Sequence, residues 1–515
     1  MKWKNVRVLR IVIALIFFAT ITLSFLFFSA GKLPFSHLLD TIQFGPAFMA
    51  VFVGSALPFI ALLLLTIICG RVYCSFICPL GIWQDIVIWI AARFKSKQQR
   101  RFKYRKPNVI LRFGILIIIA LCLIIGISYP FALFDPYSIY GRIATNIFNG
   151  AVQGINNGLS SIFPASVSYM AFSNITVWTF VVASAFFCLV TILSAFWGRM
   201  YCNTVCPVGC FLGLIGEHAM FRLQVNESKC KECGLCGLYC KSECLDSKNK
   251  YIDYSRCVVC FDCAKSCREG ALEYRFAWKK SKTQNSLEKG KIQNPGRRDA
   301  IFALGTMGAI LASRKWGRKI HPAKAAEEEK EGSLIPPGAV SIDHLKEHCT
   351  ACQACIAACP SKIIHPSITE HGIDGFMMPV ITYKKHFCSY DCNACSQACP
   401  NGALKHISLE EKQLTQIGKV QFTAKNCIVF KEGTDCGACD EHCPTKAITM
   451  LPHKKKPGLY FPSVNKNICI GCGGCEYVCP ASPKAMRVIP NEIHEAAQKP
   501  TVDKQEDIKV KDFGF

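Results

Sequence analysis

Four long stretches of this 515-residue sequence contain no Asp, Glu, Lys or Arg: Ile11–Ala30, Ala47–Cys69, Phe113–Phe134 and Thr176–Trp197. Buried core helices rarely run so long without charge, and each stretch has the length of a helix that crosses a bilayer. Acidic residues are scarce overall, with 36 Asp and Glu against 60 Lys and Arg and a net charge of +24. Such a surplus suits nucleic acid or an anionic surface, but no nucleic-acid motif accompanies it. A haem-attaching CxxCH and a GxGxxG loop are also absent, which excludes c-type haem and a Rossmann-type nucleotide site. No molybdenum signature is present.

The basic residues sit beside the apolar runs. Ala91–Pro107 carries eight Lys or Arg and no acid, and the N-terminus reads MKWKNVRVLR. Ser128–Val177 holds one Arg, Arg142, and one Asp, Asp135. The positive-inside rule therefore assigns the N-terminus and the loop after the second span to the cytoplasm. Trp83 and Trp89 suit a helix lying at the interface.

The second and fourth spans each run into the same motif. Residues 70–81 read GRVYCSFICPLG and residues 198–209 read GRMYCNTVCPVG, with Cys202 following Cys74 by 128 positions. The membrane part is thus a parallel repeat, and an axis along the membrane normal brings the two motifs together. Cysteines at i and i+4 share a helix face, and the proline that follows ends or kinks the helix. Cys74, Cys78, Cys202 and Cys206 form a candidate four-thiolate metal site, with Arg71 and Arg199 beside it. A redox-active dithiol and plain small-residue packing are the alternatives.

Cysteine, at 33 residues, is plentiful. Disulfides are the ordinary reading of so many, but the spacing is that of cluster ligands. Cys230, Cys233, Cys236 and Cys240 form CxxCxxCxxxC, and Cys257, Cys260, Cys263 and Cys267 repeat it. In two-cluster ferredoxins the fourth cysteine of each run serves the other cluster. That predicts Cys230, Cys233, Cys236 with Cys267, and Cys257, Cys260, Cys263 with Cys240. Lys241 and Arg268 stand where proline is usual, and Cys244 is left over as a structural thiol. Four more quartets follow: Cys349, Cys352, Cys355, Cys359; Cys388, Cys392, Cys395, Cys399; Cys427, Cys436, Cys439, Cys443; and Cys469, Cys472, Cys475, Cys479. Each ends in Cys-Pro, and the middle two have a lengthened first gap. Zinc arrays use paired CxxC units, so six 4Fe–4S clusters are expected. Cys69, Cys122, Cys188 and Cys210 lie in or beside apolar helices and are read as packing.

These features divide the chain into a four-span α-helical bundle (1–212), an α+β two-cluster ferredoxin domain (213–277), a linker (278–338), a four-cluster ferredoxin domain (339–490) and a polar tail (491–515). The linker contains GRRDAIFALGTMGAILAS at 296–313, which resembles a twin-arginine export signal. Ala323-Lys324-Ala325 resembles a cleavage site, while RKWGRK at 314–319 adds charge that opposes export. The expected arrangement is an inner-membrane protein with 213–295 in the cytoplasm and 339–515 in the periplasm. Asp135 and Arg142, in FDPYSIYGR, are candidates for accepting a quinol proton and orienting a quinone oxygen. The plainer reading is an interfacial anchor and a turn.

Residues 1–275 resemble the NapH-type membrane subunit of periplasmic nitrate reductase systems, on the four spans, the two CxxxCP motifs and the two-cluster ferredoxin. Residues 296–490 resemble the NapG/MauM-type ferredoxin, on the twin-arginine leader and four cluster motifs. The resemblance implies a quinol dehydrogenase component feeding a periplasmic reductase or cytochrome partner. It also implies a nested cluster order, in which Cys479 completes Cys349, Cys352, Cys355 and Cys359 completes Cys469, Cys472, Cys475. By the same nesting Cys443 completes Cys388, Cys392, Cys395, and Cys399 completes Cys427, Cys436, Cys439. Competing readings are an assembly or metal/thiol maintenance factor, and electron transfer outward from a cytoplasmic donor.

Overall fold

A computed structural model describes residues 3–27, 36–96, 98–99, 101–164, 169, 177–276, 333–453 and 457–499. The twin-arginine-like stretch at 296–313 and the small-residue site at 323–325 lie outside the described residues.

Four helices run between two cysteine-rich modules: Trp3–Phe27 (α1), Leu57–Cys69 (α4), Val109–Ile125 (α7) and Val177–Trp197 (α11). Between them stand Ser36–Thr41 (α2), Phe44–Val53 (α3), Tyr73–Phe76 (α5), Pro79–Phe94 (α6), Tyr129–Phe134 (α8), Pro136–Ile143 (α9) and Asn149–Ile162 (α10). Met200–Thr204 (α12) and Pro207–Gly216 (α13) follow α11.

The charge-free run 47–69 is not a single span. Gly54, at φ +104°, closes α3 in the left-handed conformation, and α4 begins at Leu57 with Pro58 in its first turn. Glycine tolerates that backbone and proline suits a helix start, so the sequence itself places the break. Among the described residues two helices, Lys4–Phe27 and Val177–Trp197, are long and apolar enough to cross a membrane unaided. Apolar side chains nevertheless stay exposed along α4 (Ile60, Leu64), α7 (Ile117, Ile118, Leu121) and α11 (Phe180, Leu189, Ile192).

At one end the helices meet the first module. Arg7 of α1 pairs with Asp262, Tyr274 donates to the carbonyl of Cys69 at the end of α4, and Arg112 of α7 donates to Ser255. Arg199, just past α11, donates its backbone N–H to the Lys241 carbonyl. At the other end they meet the second module. Gly141 sits against the Cys352 carbonyl and Phe25, and Val53 packs on Gly402. Ser128 donates to the Lys346 carbonyl, and Val182 packs against Ala351 and Met377. The two modules therefore cover opposite ends of the bundle.

Both modules are built from antiparallel two-stranded sheets. In the first, Phe221–Val225 (β1) pairs with Leu272–Phe276 (β4), and Leu245–Asp246 (β2) with Tyr251–Ile252 (β3). In the second, Ile364–Pro366 (β5) pairs with Pro379–Ile381 (β6), Thr415–Phe422 (β7) with Met486–Ala496 (β10), and Ile448–Pro452 (β8) with Tyr460–Val464 (β9). Because Glu495 and Ala496 still pair with β7, residues 491–496 belong to this module and not to the tail.

Candidate metal centres

The regular quartets share one backbone device. The second and fourth residues after the leading cysteine take left-handed conformations: Glu232 and Gly234, Val259 and Phe261, Ala351 and Gln353, Gly471 and Gly473. A short helix carrying the third cysteine starts directly afterwards. For Val259 or Phe261 this backbone costs roughly 1–3 kcal/mol, and it persists at the same offset in four separate loops. Alternating conformations of this kind turn successive N–H groups toward one anion. The two quartets with a lengthened first gap depart from it, with Asn393 at φ −124° and Gly437 at φ −119°.

In the first module Cys240, Cys257, Cys260 and Cys263 line one small cavity. Burial pushes the Cys236 thiol up to about 11, and the charges of Cys267, Cys230 and Cys233 act on it in the same direction. Cys240 thus stands with Cys257, Cys260 and Cys263, and Cys267 with Cys230, Cys233 and Cys236. Cys244 is not remote: it lines the same cavity, 3.5 Å from the Cys240 sulfur.

The second module corrects the nested order. Cys349, Cys352 and Cys355 share a cavity with Cys399. Cys427, Cys436 and Cys439 share one with Cys479, and Cys469, Cys472 and Cys475 share one with Cys443. The charge of Cys359 acts on both Cys388 and Cys395. Neighbouring quartets thus exchange their fourth cysteines, giving two ferredoxin units in series. The units meet where Cys388 donates its N–H to the Cys472 carbonyl at 2.9 Å.

An all-thiol donor set around such cavities fits an iron–sulfur cluster. Backbone N–H groups also aim at the sulfurs, from Ala271 to Cys267 at 3.2 Å, Ala447 to Cys443 at 3.2 Å and Leu404 to Cys399 at 3.3 Å. Such bonds favour thiolates and tune cluster potential. Among the described residues, no three His, Cys, Asp or Glu side chains gather closely enough to hold a single ion.

The fold also brings the two CxxxCP motifs together. Cys74, Cys78, Cys202 and Cys206 are all buried in one core. The paired cysteines do not share a helix face, contrary to expectation. Cys74 lies in the four-residue α5, and Cys78 caps α6, which Pro79 begins. Cys202 in α12 and Cys206 capping α13 repeat the arrangement. Burial pushes the Cys78 and Cys206 thiols up, and the neighbouring thiols of the set add to the effect.

The arginines of the motifs cross between repeats. Arg71 donates to the Cys202 carbonyl at 3.1 Å, and Arg199 donates to the Cys74 carbonyl. Gly81 and Gly209 leave the room, since a Cβ at either would strike the first cysteine carbonyl of its own motif and press on the arginine of the other. Arg199 is paired with Asp85 at 2.8 Å, which also holds Arg10 and Lys241. Arg71 is fully buried yet makes no carboxylate ion pair among the described residues; its head meets Asn203, Ser255 and, at 3.8 Å, the Cys74 sulfur. A buried charge without a counter-charge is costly, and an anionic thiolate centre supplies one. The four sulfurs do not gather closely enough to hold a single ion, so the all-thiol set beside the Arg71 charge fits a cluster rather than one metal ion.

Asp135 and Arg142 lie beneath this site, both buried. Asp135 caps α9, accepting from the Ser138 N–H and hydroxyl at 2.8 Å. Arg142 donates to the carbonyls of Ala132 and Leu133. Among the described residues Asp135 Oδ1 and Arg142 Nε have no hydrogen-bond partner. Trp83 of α6 is half-buried against Phe18 and Phe187, whereas Trp89 is exposed under Arg93.

Sequence reasoning missed the Asp85 node and the place of Cys244. Cys244 stands four residues after Cys240, where Ala271 and Ala447 stand after Cys267 and Cys443. That offset was its available signal.

Loops of this form around all-thiol cavities define a ferredoxin-type iron–sulfur protein. A family described as a 4Fe–4S binding domain matches residues 46–98 and 179–224, the stretches bearing the paired motifs. A 4Fe–4S dicluster domain matches residues 434–482, the last two quartets apart from Cys427. The ferredoxin-type protein NapF of Escherichia coli K12 is 34% identical over 149 residues, 29% of this chain and 81% of NapF. The methylamine utilization ferredoxin-type protein MauM of Methylophilus methylotrophus is 30% identical over 211 residues, 39% of this chain and 90% of MauM. No solved structure matches. The chain belongs to the ferredoxin-type protein family that includes NapF and MauM; it is an iron–sulfur electron-transfer protein with 4Fe–4S clusters as cofactors.

Proposed function

We propose that this chain is a membrane-anchored component of a respiratory chain that takes electrons from quinol and passes them to a periplasmic reductase. The observation that carries the reading is the buried four-cysteine constellation at the ends of α4 and α11, between two cysteine-rich modules. Exposed apolar faces on α4, α7 and α11 support a lipid setting. In this reading α1, α4, α7 and α11 are the four spans, residues 213–277 face the cytoplasm and the second module faces the periplasm.

The 24 quartet cysteines hold six 4Fe–4S clusters, and Cys74, Cys78, Cys202 and Cys206 hold a seventh centre. Such centres take up and release single electrons. Asp135 receives a quinol proton at its unpartnered Oδ1, and the adjacent Arg142 guanidinium steadies the quinone oxygen.

The test uses the full chain in liposomes with a reduced menaquinone analogue. The native protein reduces its own clusters, read by EPR. Cys74→Ser and Cys202→Ser keep the iron of the six quartets yet lose this reaction, because serine leaves the centre short of a thiolate. Asp135→Asn loses quinol reactivity but remains reducible by dithionite. Native-rate reduction in either cysteine variant rejects the reading. If a partner enzyme fails to mature in cells while quinol oxidation stays normal, an assembly role replaces it.

A further inference from the structure

The quinol route needs only one module, yet the bundle is clamped between two. One buried cluster of side chains runs from Cys260 of the first module through Cys74, Cys78, Cys202 and Cys206 to Cys352 of the second. Bonded contacts follow the same line. Arg71 holds the Ser255 carbonyl, two residues before Cys257, at 2.9 Å, and with its other nitrogen the Cys202 carbonyl. Beyond the four thiols, Tyr201 donates to the Phe134 carbonyl at 3.2 Å. Arg142 then grips the carbonyls of Leu133 and Ala132, and Ala132 packs on Ala351, next to Cys352. Gly141 meets the Cys352 carbonyl so closely that a Cβ would collide with it. The line also has an outer end, for Cys233 of the first module is exposed.

We propose that the chain conducts electrons across the membrane, from a one-electron protein donor at the first module to an acceptor beyond the second, through the four-thiol centre. The inference rests on the membrane reading above but not on quinol. Per turnover the donor loses one electron and the acceptor gains one. No bond forms or breaks, and no proton is carried. Negative charge crosses, so a cation must follow it.

The experiment puts the full chain in liposomes suspended in a potassium medium, with ferricyanide sealed inside and flavodoxin hydroquinone outside. The flavodoxin passes to its semiquinone as ferricyanide passes to ferrocyanide, and neither reagent crosses lipid. Ferricyanide bleaches, and valinomycin speeds the bleaching several-fold because potassium then follows the electron. Cys74→Ser with Cys202→Ser slows it by at least about tenfold, the scale of a damaged metal site. Iron content and the EPR spectra of the six quartet clusters stay native in that variant, separating a broken route from a misfolded chain. Two results overturn the proposal: bleaching that survives both replacements, or reduction of the first module with no bleaching. Bleaching by menaquinol but not flavodoxin also overturns it and keeps the quinol reading. Bleaching by flavodoxin but not menaquinol does the reverse.

Discussion

Arg71 reaches across 131 residues of chain to the Cys202 carbonyl, and Arg199 returns the contact to the carbonyl of Cys74. Each motif thus supplies the lock for the other. The two arginines differ in one respect: Asp85 neutralises Arg199, while Arg71 faces the thiols alone.

That difference predicts an electrostatic effect on the four-thiol centre. Arg71→Gln removes positive charge next to the site, so adding an electron becomes harder and the reduction potential falls. A charged hydrogen bond of roughly 1.5–3 kcal/mol corresponds to about 60–130 mV for one electron. Arg71→Lys keeps the charge and recovers most of the shift, although its single head cannot hold both carbonyls. EPR-monitored redox titration reads the sign directly.

Cluster order can be counted. Cys349→Ser and Cys399→Ser strike the same cavity, so the double variant loses one cluster, about four irons per chain. A nested order would make it lose two. Anaerobic iron and sulfide analysis on singles and double separates the outcomes.

Asp85 joins Arg10 of α1, Arg199 of the second motif and Lys241 of the first module. Burial pushes its carboxyl up, but Arg199, Lys241 and Arg10 together hold it below the ordinary carboxylate range. Its stabilising contribution is therefore complete above the unfolded value of about 3.9 and is lost only as pH falls through the lower folded value. Docking of the first module, followed by protease protection, is expected to survive to about pH 4. Asp85→Asn strands Arg10 and Arg199, while Lys241 keeps Asp262 at 3.1 Å; the loss costs about 3–5 kcal/mol and releases the module at neutral pH.

Gly141→Ala drives a methyl group into the Cys352 carbonyl and Phe25. Overpacking of this kind costs about 1–3 kcal/mol. Hydrogen exchange in α9 should rise and the second module should loosen. Gly114→Ala is the control, since nothing lies within 4 Å of a Cβ there; it leaves exchange unchanged.

The quartets, the repeat and the meeting of its motifs were legible because cysteine spacing is set by cluster chemistry and the repeat is written twice. Cluster order was not, because CxxCxxCxxxC does not encode which fourth cysteine folds back. Long-range pairing decides that, as where β7 meets β10 from the far side of the last two quartets. The helix break at Gly54–Ala56 was visible as Gly-Ser-Ala-Leu-Pro but was outweighed by the unbroken apolar run around it. Asp85 gave no signal, since its three partners come from three separate elements and only the folded chain assembles them.

An exchange in which each half grips the same point of the other is the contact two identical chains make around a twofold axis. Here both halves belong to one polypeptide, and so they are free to diverge. The residue 128 positions after Asp85 is Gly213, and a side chain there would strike the Arg112 head and the Ser255 carbonyl. In a true homodimer one choice would bind both sites: a carboxylate for each arginine, or a gap for each. Covalent linkage lets one side keep the anion and the other keep the doorway to the first module, turning a symmetric clasp into an object with a front and a back.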